Sequence, residues 1–580
     1  MSINRLYQDE LSYLRELGAV FAAENPQIAP FLAREAQDPD VERLLEGFAF
    51  LTAKLRDKLD DELPEVVQNL LRIIWPHYLR PIPPMTMIAF RPLAALAARV
   101  IVPKGSVIQS RRNENGISCP FRTCFDVDVM PLAIAQAQFE NQPSSARIGL
   151  TISAQGPSGL ECLASGRLRL HLGTDREPQI GSQLYLWLLR HVRSVNVTAG
   201  GRTLRLGPEA IVPVGFDRGD AVIPYPSNSF HGFRIMQEYL HWPARFLFVD
   251  LTGLETLGDA TLREAIISID TNRPLPEGFR LTTDHVRLNC VPALNLFEYD
   301  GTPMILDHRR SEYRVTPLGH AASYSINHVS EVEGYRQGSG RRRRYLPFES
   351  FEHSIGSAER LSMRTRLQAS VVGRGVDVFV TLVDAQDPGL ARESETVTPK
   401  LVCSNGPIVD QLAIGSVNQT GAGVPVGVGA ANCYPVLAEV PPPIGSELLW
   451  RLVANLARNY GSFVDIVALR GMIAAYDFRA VYDTAAARRL ELMLEALVAC
   501  RTEPFDFFVG GFPVRGRRII VDAGEQKLGG AGELFLLGSV LDAFFANYAS
   551  INSLHVFSMH GLDLNSEFQW VPRMGTTASS

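Results

Sequence analysis

The sequence predicts a multidomain α+β protein: an N-terminal helical segment followed by β-rich mixed domains. Three observations predict it. The chain has 580 residues, more than one hydrophobic core usually serves. Apolar residues recur every three or four positions up to residue 75, the rhythm of amphipathic helices. From residue 98 onward, short β-branched runs alternate with Gly and Pro, the texture of strands and turns. Hydrophobic content of 46% and charged content of 20% belong to a folded chain. The expected divisions are a helical region at 1–80, β-rich structure at 81–330, an exposed basic loop at 331–346, a second β-rich domain at 347–440 and a C-terminal α/β domain at 441–580.

In the first helix, Tyr7, Leu11, Leu14, Leu17 and Phe21 share one face, and Asn25-Pro26 closes it. The second carries the cleanest stripe, Val41, Leu44, Leu45, Phe48, Leu51, Leu55 and Leu59, among charged neighbours. Pro64 opens a third, with Val66, Val67, Leu70, Leu71, Ile73 and Ile74. Periodicity fits two outcomes equally: the three bury one another, or the long stripe completes a bundle supplied by another chain. "WPHYLRPIPP" follows. Pro76 should stop or kink the helix, and Pro81, Pro83 and Pro84 favour a stiff extended exit, so this corner reads as a rigid elbow with His77 as packing.

Strands are expected within 98–110, 146–156, 166–174, 195–207, 263–276, 314–320 and 375–387. Helices are expected at 181–192, 445–460, 484–500 and 533–550, with a strand at 515–524. "RIMQEYLHWPARFLFVDLTGL" reads as a short helix, a proline break and a buried strand. Arg341 to Arg344 sit among Gly and polar residues, which reads as a solvated loop that could grip an acidic partner. The glycine-rich stretch 420–432 reads as a surface loop, because its Gly-x-Gly-x-x-x-Gly spacing lacks the strand-turn-helix setting of a dinucleotide site. Helix 533–550 is apolar nearly all round, with Phe544 and Tyr548 among many others, so it is buried in a core or against a partner.

Chemical signatures are absent. No phosphate-loop, zinc-protease or nucleophile-elbow motif occurs, and Cys119-x4-Cys124 has no second ligand pair for a metal. Seven scattered cysteines fit reduced thiols, and no apolar run approaches the roughly 20 residues that span a bilayer. Net charge of −6 argues against nucleic acid as partner. Only five of the 56 basic residues are Lys; the Arg excess favours protein–protein surfaces, since guanidinium makes bidentate bonds and stacks on rings. No enzyme, cofactor or metal is expected. The chain should be soluble and cytoplasmic, without membrane insertion.

Several blocks together resemble one family. "YQDELSYLRELGAVFAAENPQIAPFL", the run from Asp38 through "NLLRIIWPHYLRPIPPM", "MQEYLHWPARFLFVDL", "CVPALNLFEYDGTPMILDHRRSEYRV", "LLWRLVANLARNYGS" and "GELFLLGSVLDAFFANYASINSL" resemble, in order, the TssF (VasA/ImpG) proteins of type VI secretion systems. Pro84 and Leu554 are the departures from the family pattern. The resemblance implies a fold similar to contractile-phage baseplate wedge proteins. It implies a non-enzymatic part, two copies pairing with one TssG and joined by TssK, around the VgrG spike where tube and sheath polymerise. It also implies docking of the baseplate at the inner-membrane complex. A wedge protein of a related phage tail or extracellular injection device is the alternative. On this reading Tyr7, Leu11, Leu14, Leu44, Phe48, Leu55, Trp75, Tyr78, Phe544 and Tyr548 are the expected partner anchors.

Overall fold

The structure is a computed structural model. It describes Tyr7, Leu11, Leu14, residues 43–52, Lys54, residues 68–73 and residues 75–574, leaving out of the last span 94–95, 226–228, 230, 308–309, 320, 337–341, 349–360, 371–374, 385–394, 445–464, 510–511 and 549–553. The chain divides into two compact units. One comprises Met1–Trp75 with Ile444–Val453, the other Pro76–Pro443 with Ala454–Ser580. In the first unit the described residues of the N-terminal segment are helical, apart from Trp75 at its end. The helix expected at 445–460 lies outside the described residues.

The second unit begins where proline dictates. Pro76–Leu79 is a single 3-10 turn, and the proline-rich run beyond it is extended into the strand Met85–Pro92, with Ile82 bridged to Val440. That strand is next to the edge of a six-stranded sheet, between Cys290–Leu294 and the edge strand Val428–Asn432. The glycine-rich stretch expected to be only a loop therefore ends in a strand. Its small residues Gly429, Ala430 and Ala431 lie directly against Arg91, Phe90 and Ala89.

A five-stranded and a four-stranded antiparallel sheet hold residues 132–287, with the expected period-two burial; Ser145–Ala154, for example, alternates buried and less buried positions. The helix Pro178–Leu186 runs into a five-residue π-helix at Trp187–His191. It packs with His231–His241 around the central helix Ala531–Tyr548. Leu534, Leu537, Leu541 and Phe544 of that helix are fully enclosed. Of the two outcomes open for an all-round apolar helix, core is the one realised.

The C-terminal sheet pairs Leu497–Val509 with Phe512–Ala523, and the latter runs parallel to Leu554–Gly561. The helix expected over 484–500 spans Thr484–Ala496. It stops there because Leu497 pairs with Ala523 in the sheet.

Residues 297–404 form a closed barrel inserted between two strands of the six-stranded sheet. Its path runs Phe297–Asp300, Glu395–Ser404, Ser325–Arg336, Arg342–Pro347, Leu361–Ala369, Val376–Asp384 and Tyr313–Val315. A bridge between Gly301 and Pro317 joins the last strand to the first. Val332, Val380, Val397 and Cys403 fill its interior. Closure removes the exposed edges that an open sheet would leave.

The expected basic loop at 331–346 is a correction. It is the hairpin of Ser325–Arg336 and Arg342–Pro347, with Glu333 opposite Arg344 and Tyr335 opposite Arg342. Counting like charges along the chain misses the acids on the facing strand.

Candidate partner interface

The described N-terminal residues separate into buried and exposed sets. Leu11, Ala49, Leu71 and Trp75 are buried, and Tyr7 and Leu14 are half-buried. On the helix at 43–52 the spacing i, i+4, i+7 puts Leu44, Phe48 and Leu51 on one face, and all three are exposed, at 74%, 60% and 59%. Leu70 and Ile73, three apart on the helix at 68–73, are exposed as well. The polar residues Gln68 and Arg72 of that helix are instead buried, hydrogen-bonded to one another. Single exposed apolar side chains are ordinary; a helical stripe of three is a candidate docking face. Covering a Leu or Phe is worth about 1.5–3 kcal/mol. Leu55, next on the same stripe, lies outside the described residues.

Two other expected anchors are corrected. Tyr78 is fully buried, its hydroxyl donates to the Ala475 carbonyl at 2.9 Å, and its ring meets Phe478 edge-on at 4.8 Å. Phe544 is fully buried against Phe233 and Phe545. Both are spent on the chain's own core. Tyr548 closes the same helix, and its side chain lies outside the described residues.

The arginine run is also consumed internally. Arg342 pairs with Glu333 and Arg344 with Glu331. Arg343 reaches the buried Glu395 at 3.1 Å, beside the Tyr345 hydroxyl at 2.8 Å. Arg341 lies outside the described residues. Arg343→Ser should therefore cost about 3 kcal/mol, because it strips a buried carboxylate of its cation, and Arg344→Ser about 1 kcal/mol or less; Arg342→Ser should fall between them, since Glu333 is buried as well but keeps Lys400 at 4.0 Å. Urea denaturation midpoints of the three variants check this ranking.

Among the described residues, no three His, Cys, Asp or Glu side chains assemble as a metal site, and no described helix is long and apolar enough to cross a membrane. His77 packs: its ring stacks on Tyr225 at 3.9 Å, its Nδ1 lies 3.2 Å from Ser229 Oγ, and burial pushes its pKa down to about 3. His241 is likewise buried and held neutral, its pKa lowered to about 3 by burial.

A family model described as "Type VI secretion system, TssF" matches residues 1–577. The chain belongs to the TssF family. It is 30% identical to the type VI secretion system component TssF1 of Pseudomonas aeruginosa, across 98% of both chains. It superposes with a TM-score of 0.75 and 26% identity on a chain of the cryo-electron microscopy structure of a TssK-TssF-TssG baseplate subcomplex, covering 93% of this chain and all of that one. A chain of a type VI secretion baseplate complex matches over the full length of both, with a TM-score of 0.62 and 25% identity. The chain, which superposes on both, mixes helix and sheet, in agreement with the α+β class expected from sequence.

One block that carries the family likeness holds a feature sequence reasoning passed over. Arg234, Glu238 and Arg245 are each 2% exposed or less. Glu238 Oε1 accepts the Val222 and Ile223 amides at 2.9 and 2.8 Å, and its Oε2 meets the Arg245 guanidinium. Charges four apart on an otherwise core-facing helix were the available signal.

Proposed function

We propose that the chain is a structural wedge subunit of a type VI secretion baseplate, pairing as two copies with TssG and joined by TssK around the VgrG spike. The observation that carries this reading is the exposed apolar stripe Leu44, Phe48 and Leu51, in a chain similar over its length to baseplate components. A docked helix would cover that stripe, and the apolar anchors would supply most of the holding energy. The subunit would act by position: it holds partners at fixed angles and moves no proton or electron. Docking of the assembled baseplate at the inner-membrane complex belongs to the same reading.

Co-expression with the TssG and TssK of the same source tests it. The expected result is one complex on size exclusion with two copies of this chain per TssG, by light scattering. Elution of this chain apart from both partners would overturn the proposal.

A further inference from the structure

The turn between the strands Leu554–Gly561 and Ser566–Gln569 displays two leucines on a fixed frame. Leu562 and Leu564 are 54% and 64% exposed, with Asp563 exposed between them. The backbone beneath is held by Glu525, which is fully buried. Its Oε2 accepts the Asp563 amide at 2.8 Å, and its Oε1 accepts the Ser566 hydroxyl at 2.6 Å. Asp563 Oδ2 in turn accepts the Gln526 amide at 2.9 Å, and the Leu562 amide donates to the Ala523 carbonyl. A Cβ on Gly561 would lie 1.7 Å from Glu525 Oε1, so the close approach of carboxyl to backbone requires glycine there. Apolar side chains on a turn already locked in place lose little freedom when a partner covers them, which favours binding.

Beside this turn runs a groove. The four-residue helix Glu525–Leu528 carries both Gln526, which holds Asp563, and Lys527, which borders an open groove of about 620 Å³. Ala487, Leu490 and Leu494, at i, i+3 and i+7 of the helix Thr484–Ala496, form its apolar floor. Its acids are matched within the chain, Glu491 by Arg488 and Glu495 by Lys527. Arg470, on the helix Ile466–Tyr476, donates instead to the Leu497 carbonyl at 3.1 Å, and it has no ion pair among the described residues.

We propose that a second copy of this chain docks here about a two-fold axis, the Leu562–Leu564 turn of each copy entering the groove of the other, with Asp563 facing Arg470. The contact is separate from the Leu44 face and does not depend on the baseplate reading. A projecting turn and a receiving groove side by side on one chain are what an isologous contact needs, since each copy then gives and receives the same pair. The charges complement one another: Asp563 brings an acid without a cation, and Arg470 a cation without an acid, both among the described residues. A turn and a groove cover less than the about 800 Å² per partner of a standard interface, so the free chain should associate reversibly and weakly.

Sedimentation equilibrium of the full chain over a range of concentrations measures the association, and cysteine pairing locates it. A mixture of Leu564→Cys and Leu494→Cys chains under mild oxidation should give a disulfide between those two positions, identified in the linked peptides by mass spectrometry. The parent, with its seven free cysteines, is the blank. Leu564→Asp should melt like the parent and weaken association about a hundredfold or more, because the change enters a two-fold contact twice. Leu562→Asp repeats the comparison if the first variant melts early. A chain that stays monomeric and gives no mixed disulfide would overturn the proposal. So would association that both aspartate variants leave unchanged.

Discussion

A chain carrying Leu44→Asp and Phe48→Asp is expected to fold normally and to lose TssG from the co-purified complex. Both side chains are largely exposed, so aspartate there costs the isolated chain little, within about 0.5 kcal/mol for each surface change. In the assembled bundle the same positions would be covered. Each substitution would forfeit about 2 kcal/mol of apolar burial and leave an unpaired carboxylate to be desolvated at a further few kcal/mol. Together the two would lower affinity by roughly three orders of magnitude or more, since each 1.4 kcal/mol is tenfold. The melting temperature of the isolated variant separates this from misfolding. A variant that melts like the parent and still retains TssG would sink the assignment of this face.

The second large effect falls on the buried ion cluster. Arg245→Met should destabilise the second unit by about 3–5 kcal/mol, measured by urea denaturation at neutral pH. Glu238 would keep its two amide donors and Arg234, 3.7 Å away, but would lose the guanidinium on its other oxygen. The Arg245 stacking on Phe246, 3.9 Å from the ring, and its bond to the Asp220 carbonyl would go as well. Pairing Arg245→Met with Glu238→Gln should cost less than the two single changes summed, because the Glu238–Arg245 interaction is lost only once in the double variant, although Arg234 then keeps its charge without a carboxylate beside it. Strict additivity would mean that the pair is not coupled.

The barrel shows why some elements were legible in sequence and others were not. In Val376–Asp384 the residues Val376, Val378, Val380 and Leu382 share one face at period two, and that spacing announces the strand. The facing hairpin misleads because its strand-like pairing is written in two places: Glu331 and Glu333 on one strand, Arg342 and Arg344 on the other. Read linearly, four arginines beside glycines resemble a solvated loop; read across the sheet, Arg342, Arg343 and Arg344 are paired with acids. The strand Val428–Asn432 was hidden for a related reason. Its Gly and Ala residues have low strand preference, and the pairing with Met85–Pro92 overrides it. The helix Ile466–Tyr476 and the strand Leu497–Val509 went unread for want of a clean period.

For the candidate interface the division is sharper. Local periodicity decided which residues share a helix face, and the family blocks in order decided kinship, because both are properties of the chain read along its length. What covers each face is a long-range matter. Leu44 with Phe48 and Leu541 with Phe544 are apolar pairs on helices with the same kind of spacing. Only packing across hundreds of residues left the first pair open to a partner and enclosed the second among Phe233, Phe545 and their neighbours. The fate of Tyr78 was settled in the same way, by a carbonyl 397 residues further along the chain.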